Sequence, residues 1–404
     1  MNAILDKKID SLVQEILPVM KNIRRAIHAN PELSGEEFET NSLIRRELAK
    51  IPALTVLPPF IGTDAVALLY GKKGGENRYN VTLRADIDAL PMQEETGVPY
   101  TSKNPGKMHG CGHDGHTACV LGAAFVLSKL TEEFNGSVRF VFQPGEEKGA
   151  LARFLVGKGA LENPAPDAVY ALHAHSTVPV GTVKTMAGTL MSGITSYKIT
   201  LEGMSSIRSE PEKAVDAIAA TANLITQMNT LIADKVSPLD SAIIDFAKVE
   251  AFNPAGDAAG KGVLTGHIRY LKNSTGETLR NAVSSIVKGL EVSRGIKGTC
   301  EFTEEYRTST NAVSCVELLK RITIEKYGEK MFQTMPQPSM GSEDFCYFLE
   351  KAPGAFFNLG GGVDKAYCHN PKFDFNDESL PYGITLMVHL ALETLQELET
   401  GKKF

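Results

Sequence analysis

The sequence predicts an α/β fold: a mixed, largely parallel sheet flanked by helices and interrupted by a smaller inserted α+β domain. Three observations predict it. In the first part of the chain, short apolar runs alternate with helical stretches. From about 190 to 303 the order becomes βαββαβ, the split-βαβ arrangement of a compact α+β unit. An apolar run with a Gly-rich exit then returns at 355–359, so α/β material lies on both sides of the middle. The expected domains are therefore 1–189 with 304–404, and an inserted domain at 190–303. At roughly 100–200 residues per domain, 404 residues accommodate both.

Residues 1–50 read as helical, because Leu12, Ile16, Met20 and Ile23 recur at spacings of three and four. Residues 81–83 form a strand candidate that enters RADIDALP. An apolar helix follows at 116–130. A short strand at 138–142 ends in Gln143-Pro144-Gly145, and another apolar run covers 168–172. In the middle, 194–201, 242–251, 263–271 and 299–306 are strand-like. Residues 212–233 and 276–296 are helical.

Composition excludes several classes. Lys and Arg number 42 against 48 Asp and Glu, a formal net charge of −6. A general nucleic-acid binder needs a basic surplus to neutralise phosphates. No basic or amphipathic run marks a membrane surface, and neither nucleic acid nor membrane is an expected partner. The longest strongly apolar run, 118–127, is half the roughly 20 residues a span requires. Charges near the first residue, with no apolar segment behind them, argue against a secretory signal. Six scattered Cys without a CxxC do not form a disulfide framework. The expectation is a soluble, cytoplasmic protein.

The chemistry concentrates in a few places. MHGCGHDGHTA at 108–118 holds three His, a Cys and an Asp. Thiolate and imidazole are ligands of borderline transition metals. The segment is punctuated by Gly110, Gly112 and Gly115 and enters a helix, whose positive end favours a thiolate. A structural zinc knot or an inert Gly-rich turn would use the same residues. Glu146 and Glu147 follow a strand; neighbouring side chains diverge there, so one can bind metal while the other takes a proton. A plain surface acidic pair is the competing reading. His173 follows the 168–172 run and His369 follows the Gly-rich strand exit; each is weak alone. Their shared placement is the signal, because ligands in open α/β sheets bind at the carboxyl ends of strands. Cys111, His113, Glu147, His173 and His369 make five candidate ligands. One structural zinc takes four, whereas two metals with a bridging group fit five plus water. A Cys–His pair with Cys111 as nucleophile is the rival reading.

MHGCGHDGHTA, FQPGEE, ALHAH and HNP, in this order, resemble the di-metal amidohydrolase and peptidase family. That family includes aminoacylases, indole-acetyl-amino-acid hydrolases and carboxypeptidase-G-like enzymes. The likeness is nearest the amidohydrolase branch with a Cys metal ligand. RRAIHANPELSGEE (24–37), RADIDALPMQEETGVPY (84–100), GSEDF (341–345) and HNPKFDFND (369–377) agree, so the resemblance covers nearly the whole chain. It implies that Cys111, His113, Glu147, His173 and His369 hold two divalent ions per subunit, with Cys111 as the bridge. Glu146 would be the general base, Asp86 a supporting group, and Arg269 a binder of the substrate carboxylate. His109, Asp114 and His116 would support or pack. The inserted domain would be a lid and the surface of a homodimer. The implied reaction is hydrolysis of the amide bond of N-acyl-amino acids or small peptide-like conjugates, by a metal-bridging water activated by Glu146. Ligand softness admits zinc or manganese first, then cobalt or nickel.

The lid departs from the family pattern. Between Gly203 and Pro211, Ile207 occupies the place of the usual His, and no His lies between 176 and 266. An Asn-containing run is missing where 253–259 leads into Gly260. His267 and Arg208 are candidate substitutes. Losing one oxyanion donor costs on the order of 100- to 1000-fold in turnover. A second reading follows: a vestigial di-metal protein that binds a small molecule with little or no turnover. A thiol enzyme built on Cys111 is the third, and chelators would separate it from the first.

Overall fold

The computed structural model describes residues 3–74, 78–207, 209–253 and 257–404. It divides into two compact units: Met1–Gly188 with Thr310–Gln337 and Asp344–Phe404, and Thr189–Ser309 with Pro338–Glu343.

The first unit is built on an eight-stranded sheet. In spatial order its strands are Leu54–Val56, Ala65–Tyr70, Ser137–Gln143, Asn80–Asp86, Ala168–His175, Gly354–Gly360, Val183–Thr185 and Phe332–Thr334. The central four, from Ser137–Gln143 to Gly354–Gly360, run parallel; both flanking neighbours run antiparallel to them. Asn80–Asp86 and Ser137–Gln143 are buried at every position, as expected of parallel strands covered on both faces. Their polar residues are covered as well, Arg84 and Arg139 among them. Parallel strands end at one rim, which here gathers Asp86, Gln143, His175 and Gly360.

Helices pack against this sheet and against one another. Ala3–His28 buries Ile9, Val13, Ile16, Met20, Ile23 and Ile27 on one face, with Leu12 only half-buried. His113–Ser128 is buried along nearly its whole length and starts three residues before the position its apolar run marks. The reason is chemical: its first turn is polar and belongs to the site. The strand Ala65–Tyr70 and the helices Val313–Tyr327 and Leu380–Glu399 are not among the elements expected from the sequence. Leu380–Glu399 is buried around most of its circumference, which erases the polar face that periodicity needs.

The second unit follows the βαββαβ order: Gly193–Glu202, Ala217–Lys235, Ala242–Ala251, Lys261–Tyr270, Asn273–Arg294 and Lys297–Tyr306. Its antiparallel sheet has the spatial order Lys297–Tyr306, Gly193–Glu202, Lys261–Tyr270, Ala242–Ala251. Tyr197, Ile199, Leu201, Leu264 and Ile268 form a core with Leu224, Met228, Leu279 and Val283 of the two helices. The first of these helices begins later than the pattern from 212 predicts. Asp216 caps it by accepting from the amides of Ile218 and Ala219, and Pro211–Lys213 is a separate 3-10 turn. Among the described residues, no helix is long and apolar enough to cross a membrane.

Candidate metal centre

The rim of the parallel sheet receives a cluster of donor groups. Cys111 sits in the Gly-rich approach to the helix that His113 opens. Gly112, at φ 92°, permits the turn between them, and a Cβ there would come within 2.9 Å of the Ala174 side chain. A Cβ on Gly115 would meet the Phe375 ring at 2.2 Å. The two glycines therefore let the helix start approach both the strand Ala168–His175 and the segment behind His369. The strand itself extends to His175, so His173 lies within it rather than after it. Cys111 Sγ lies 3.3 Å from His173 Nε2.

Among the described residues, donor atoms lie within 4.8 Å of one another in several groups, including Cys111, His113 and His173; Cys111, Glu147 and His369; and His113, Glu146 and Glu147. Cys111 belongs to the first two. The orientation of each imidazole is set from behind. His113 Nδ1 meets Asp88 at 3.2 Å, leaving Nε2 buried without a hydrogen-bond partner. Glu147 Oε1 is also buried and lies 3.8 Å away. His173 Nδ1 meets the Ala174 carbonyl at 2.8 Å, which leaves Nε2 toward Cys111. His369 Nε2 lies 3.4 Å from Glu147 Oε1. Its backbone, at φ 63°, is fastened by its amide, which donates a hydrogen bond of 2.7 Å to the Gly110 carbonyl.

Buried polar atoms left without partners cost about 1–3 kcal/mol each. A cation among them removes that penalty, and an imidazole held at one nitrogen by a carboxylate or carbonyl is the usual form of a metal-binding His. His116 differs. Its Nδ1 meets Asp86 at 2.6 Å and its Nε2 accepts from the Ala174 amide at 2.8 Å, so both nitrogens are occupied. Thiolate, imidazole and carboxylate donors in this arrangement fit two divalent metal ions.

Electrostatics point the same way. Burial drives the His113 imidazole down, yet Asp86 and Asp88 hold it well above its ordinary value. Burial raises Asp86, but His113, His116 and Arg84 hold it well below. The hydrogen bond with Cys368 and then burial push the Cys111 thiol up. The metal-free cluster thus retains protons that a divalent cation would displace.

Several residues that build this site were not singled out from the sequence. Asp88, rather than Asp86, bonds to His113, and its other oxygen accepts from Ser34 Oγ at 2.6 Å and the Glu147 amide at 3.0 Å. Asp86 instead meets Arg84 at 2.8 Å and His116. Glu37 accepts from the Gly145 amide at 2.9 Å and so holds the turn before Glu146; burial and then Asp88 raise it to about 7. Arg84 joins Gln143 and Asp344, each at 2.8 Å, beneath the rim. Arg24, fully buried, donates to Asp114 at 3.2 Å and Asp374 at 2.7 Å. His28 bridges Asp114 and Glu94. His109, which the resemblance gave a supporting or packing role, is buried with neither ring nitrogen hydrogen-bonded.

In the second unit, Arg269 donates to the Met340 carbonyl at 2.9 Å, and His267 pairs with Asp245 at 3.1 Å. Ile207 is exposed. Arg208 and residues 254–256 of the Asn-depleted run lie outside the described residues.

A parallel-sheet rim carrying this donor set defines a class, the metal-dependent amidohydrolases and peptidases. The profile of peptidase family M20/M25/M40 matches residues 82–393. An Arabidopsis thaliana protein, IAA-amino acid hydrolase ILR1-like 4, is 35% identical over 393 residues, covering 95% of this chain and 87% of its own. The N-acetyl-L-cysteine deacetylase of Bacillus subtilis is 32% identical over 380 residues, covering 94% and 89%. Among solved structures, the Bacillus subtilis YXEP protein, a dinuclear metal-binding peptidase of the M20 family, superposes with TM-score 0.81 at 28% identity. It covers 95% of this chain and 99% of that one. A putative aminohydrolase from methicillin-resistant Staphylococcus aureus gives TM-score 0.90 at 28% identity, with 96% and 100% covered. The chain belongs to peptidase family M20/M25/M40, as a member of its amidohydrolase branch.

Proposed function

We propose that the protein hydrolyses N-acyl-amino acids or small peptide-like conjugates into a carboxylic acid and an amino acid. Cys111, His113, Glu147, His173 and His369 hold two divalent metals in this reading, with Cys111 shared and Glu146 as the base. One observation carries it: Cys111 belongs to two donor groups, while Glu146 and Glu147 close on His113 from the same turn. The names of the relatives, a deacetylase of an acyl amino acid and hydrolases of amino-acid conjugates, favour the substrate class.

When bound, the two cations supply Lewis acidity toward the scissile carbonyl and the attacking water. The chain supplies the rest. Glu146, 8% exposed, accepts the water proton and returns it to the leaving nitrogen. Asp88 holds His113 and the Glu147 backbone in register. Cys111 is a ligand and not a nucleophile. Arg269 pairs with the substrate carboxylate, and the inserted domain serves as lid and homodimer surface. Zinc or manganese is the resident metal, and the compartment is the cytoplasm.

Glu146→Gln is the test. Amine release from N-acetyl, N-benzoyl and indole-acetyl amino acids should fall about 100- to 10,000-fold while metal content stays unchanged. Unchanged turnover would sink the assignment. The second reading, a binder with little turnover, is favoured by Ile207 in the lid. It predicts ligand binding by the metal-loaded protein with no release from any substrate.

A further inference from the structure

We propose that Cys111 and Cys368 form a disulfide on oxidation by a peroxide when the metals are absent, and that this bond closes the site to metal. All six cysteines are free thiols. Cys111 and Cys368 share a hydrogen bond. Cys368 Sγ lies 3.8 Å from the Cys111 carbonyl and 3.7 Å from that of Ala174, so it is lodged beside Cys111. The backbone keeps it there: the His369 amide donates to the Gly110 carbonyl at 2.7 Å, which sets the two segments side by side one residue away. A disulfide demands such pre-arranged neighbours, because its geometry tolerates little adjustment. Cys368 joins none of the donor groups, so metal binding does not account for its closeness to Cys111. The half-exposed His369 marks an open side through which a small oxidant can enter.

The chemistry balances with one peroxide. One thiolate attacks a peroxide oxygen, the O–O bond breaks, and a sulfenic acid and water form. The second thiolate attacks that sulfur, the S–S bond forms, and the hydroxyl leaves as a second water. Two thiols lose two electrons and two protons, and the peroxide takes both. The effect on metal binding rests on the reading of Cys111 as a shared ligand. A bridged sulfur carries no negative charge, so both donor groups lose a member at once.

The experiment uses the full chain, chelator-stripped or zinc-loaded, treated with hydrogen peroxide, alkylated and digested with trypsin. The stripped sample should yield peptide 108–129 joined to 366–372 less two hydrogens, with fragment ions placing the bridge at Cys111 and not Cys119. Zinc-loaded protein should give at least about tenfold less of it. Zinc capacity of the oxidised protein should fall by about half or more and return with a thiol reductant. Cys368→Ser should show neither the bridge nor the reductant-reversible loss. Peroxide treatment of stripped protein without the joined peptide overturns the proposal. The joined peptide with undiminished zinc capacity leaves the disulfide standing and overturns the ligand role of Cys111.

Discussion

Asp88 holds two parts of the centre at once, His113 through one oxygen and the Glu147 backbone through the other. Removing its charge loosens both. Asp88→Asn should weaken metal binding about 10- to 100-fold, measured by competition with a chelating dye, with the fold retained by circular dichroism. His28 makes a pH prediction. Burial lowers its affinity for a proton, but Asp114 and then Glu94 raise it to about 9 from an ordinary 6.5. A raised folded value means the stabilisation is complete below pH 6.5 and is lost as pH rises through about 9. Urea unfolding between pH 6 and 10 should show this loss, of the order of a few kcal/mol. His28→Gln should flatten it; a wild-type curve that rises over this window would refute the pairing.

The start of helix His113–Ser128 is where element packing becomes site geometry. Gly115 admits the Phe375 ring, and Phe375 belongs to the segment that follows His369. Gly115→Ala should force that ring aside, lowering stability by about 1–3 kcal/mol by calorimetry. Arg24, with Tyr100 donating to Asp374 at 2.7 Å, ties the same segment to the first helix. Such contacts join positions about 260 to 350 residues apart. Spacing along the chain carries no trace of them, which is why Arg24, Arg84 and Asp344 went unselected. Asp86 and Asp88 stand two residues apart in one motif, and each meets a different imidazole: Asp86 that of His116 and Asp88 that of His113.

Across the whole molecule, metal binding and folding of the first unit are linked, because the candidate donors come from four separate chain segments. Metal held at about 100 times its dissociation constant should add roughly 2.7 kcal/mol to stability. Chelation should reverse the gain, seen as a lower melting temperature that recovers when zinc or manganese is restored. A melting curve indifferent to chelator would contradict the centre.

The sequence by itself determined the α/β class, the βαββαβ order and the motif around Cys111 and His113, because these depend on local periodicity and close spacing. It placed His173 and His369 only through the rule that parallel strands end at one rim. Tertiary structure decided which imidazole nitrogens are spent and which are left open. It consumed both in His116 and left Nε2 of His113 without a partner. The physical reason is that a hydrogen bond is satisfied by whatever group the fold brings within 3 Å, and that group is seldom a neighbour in the chain.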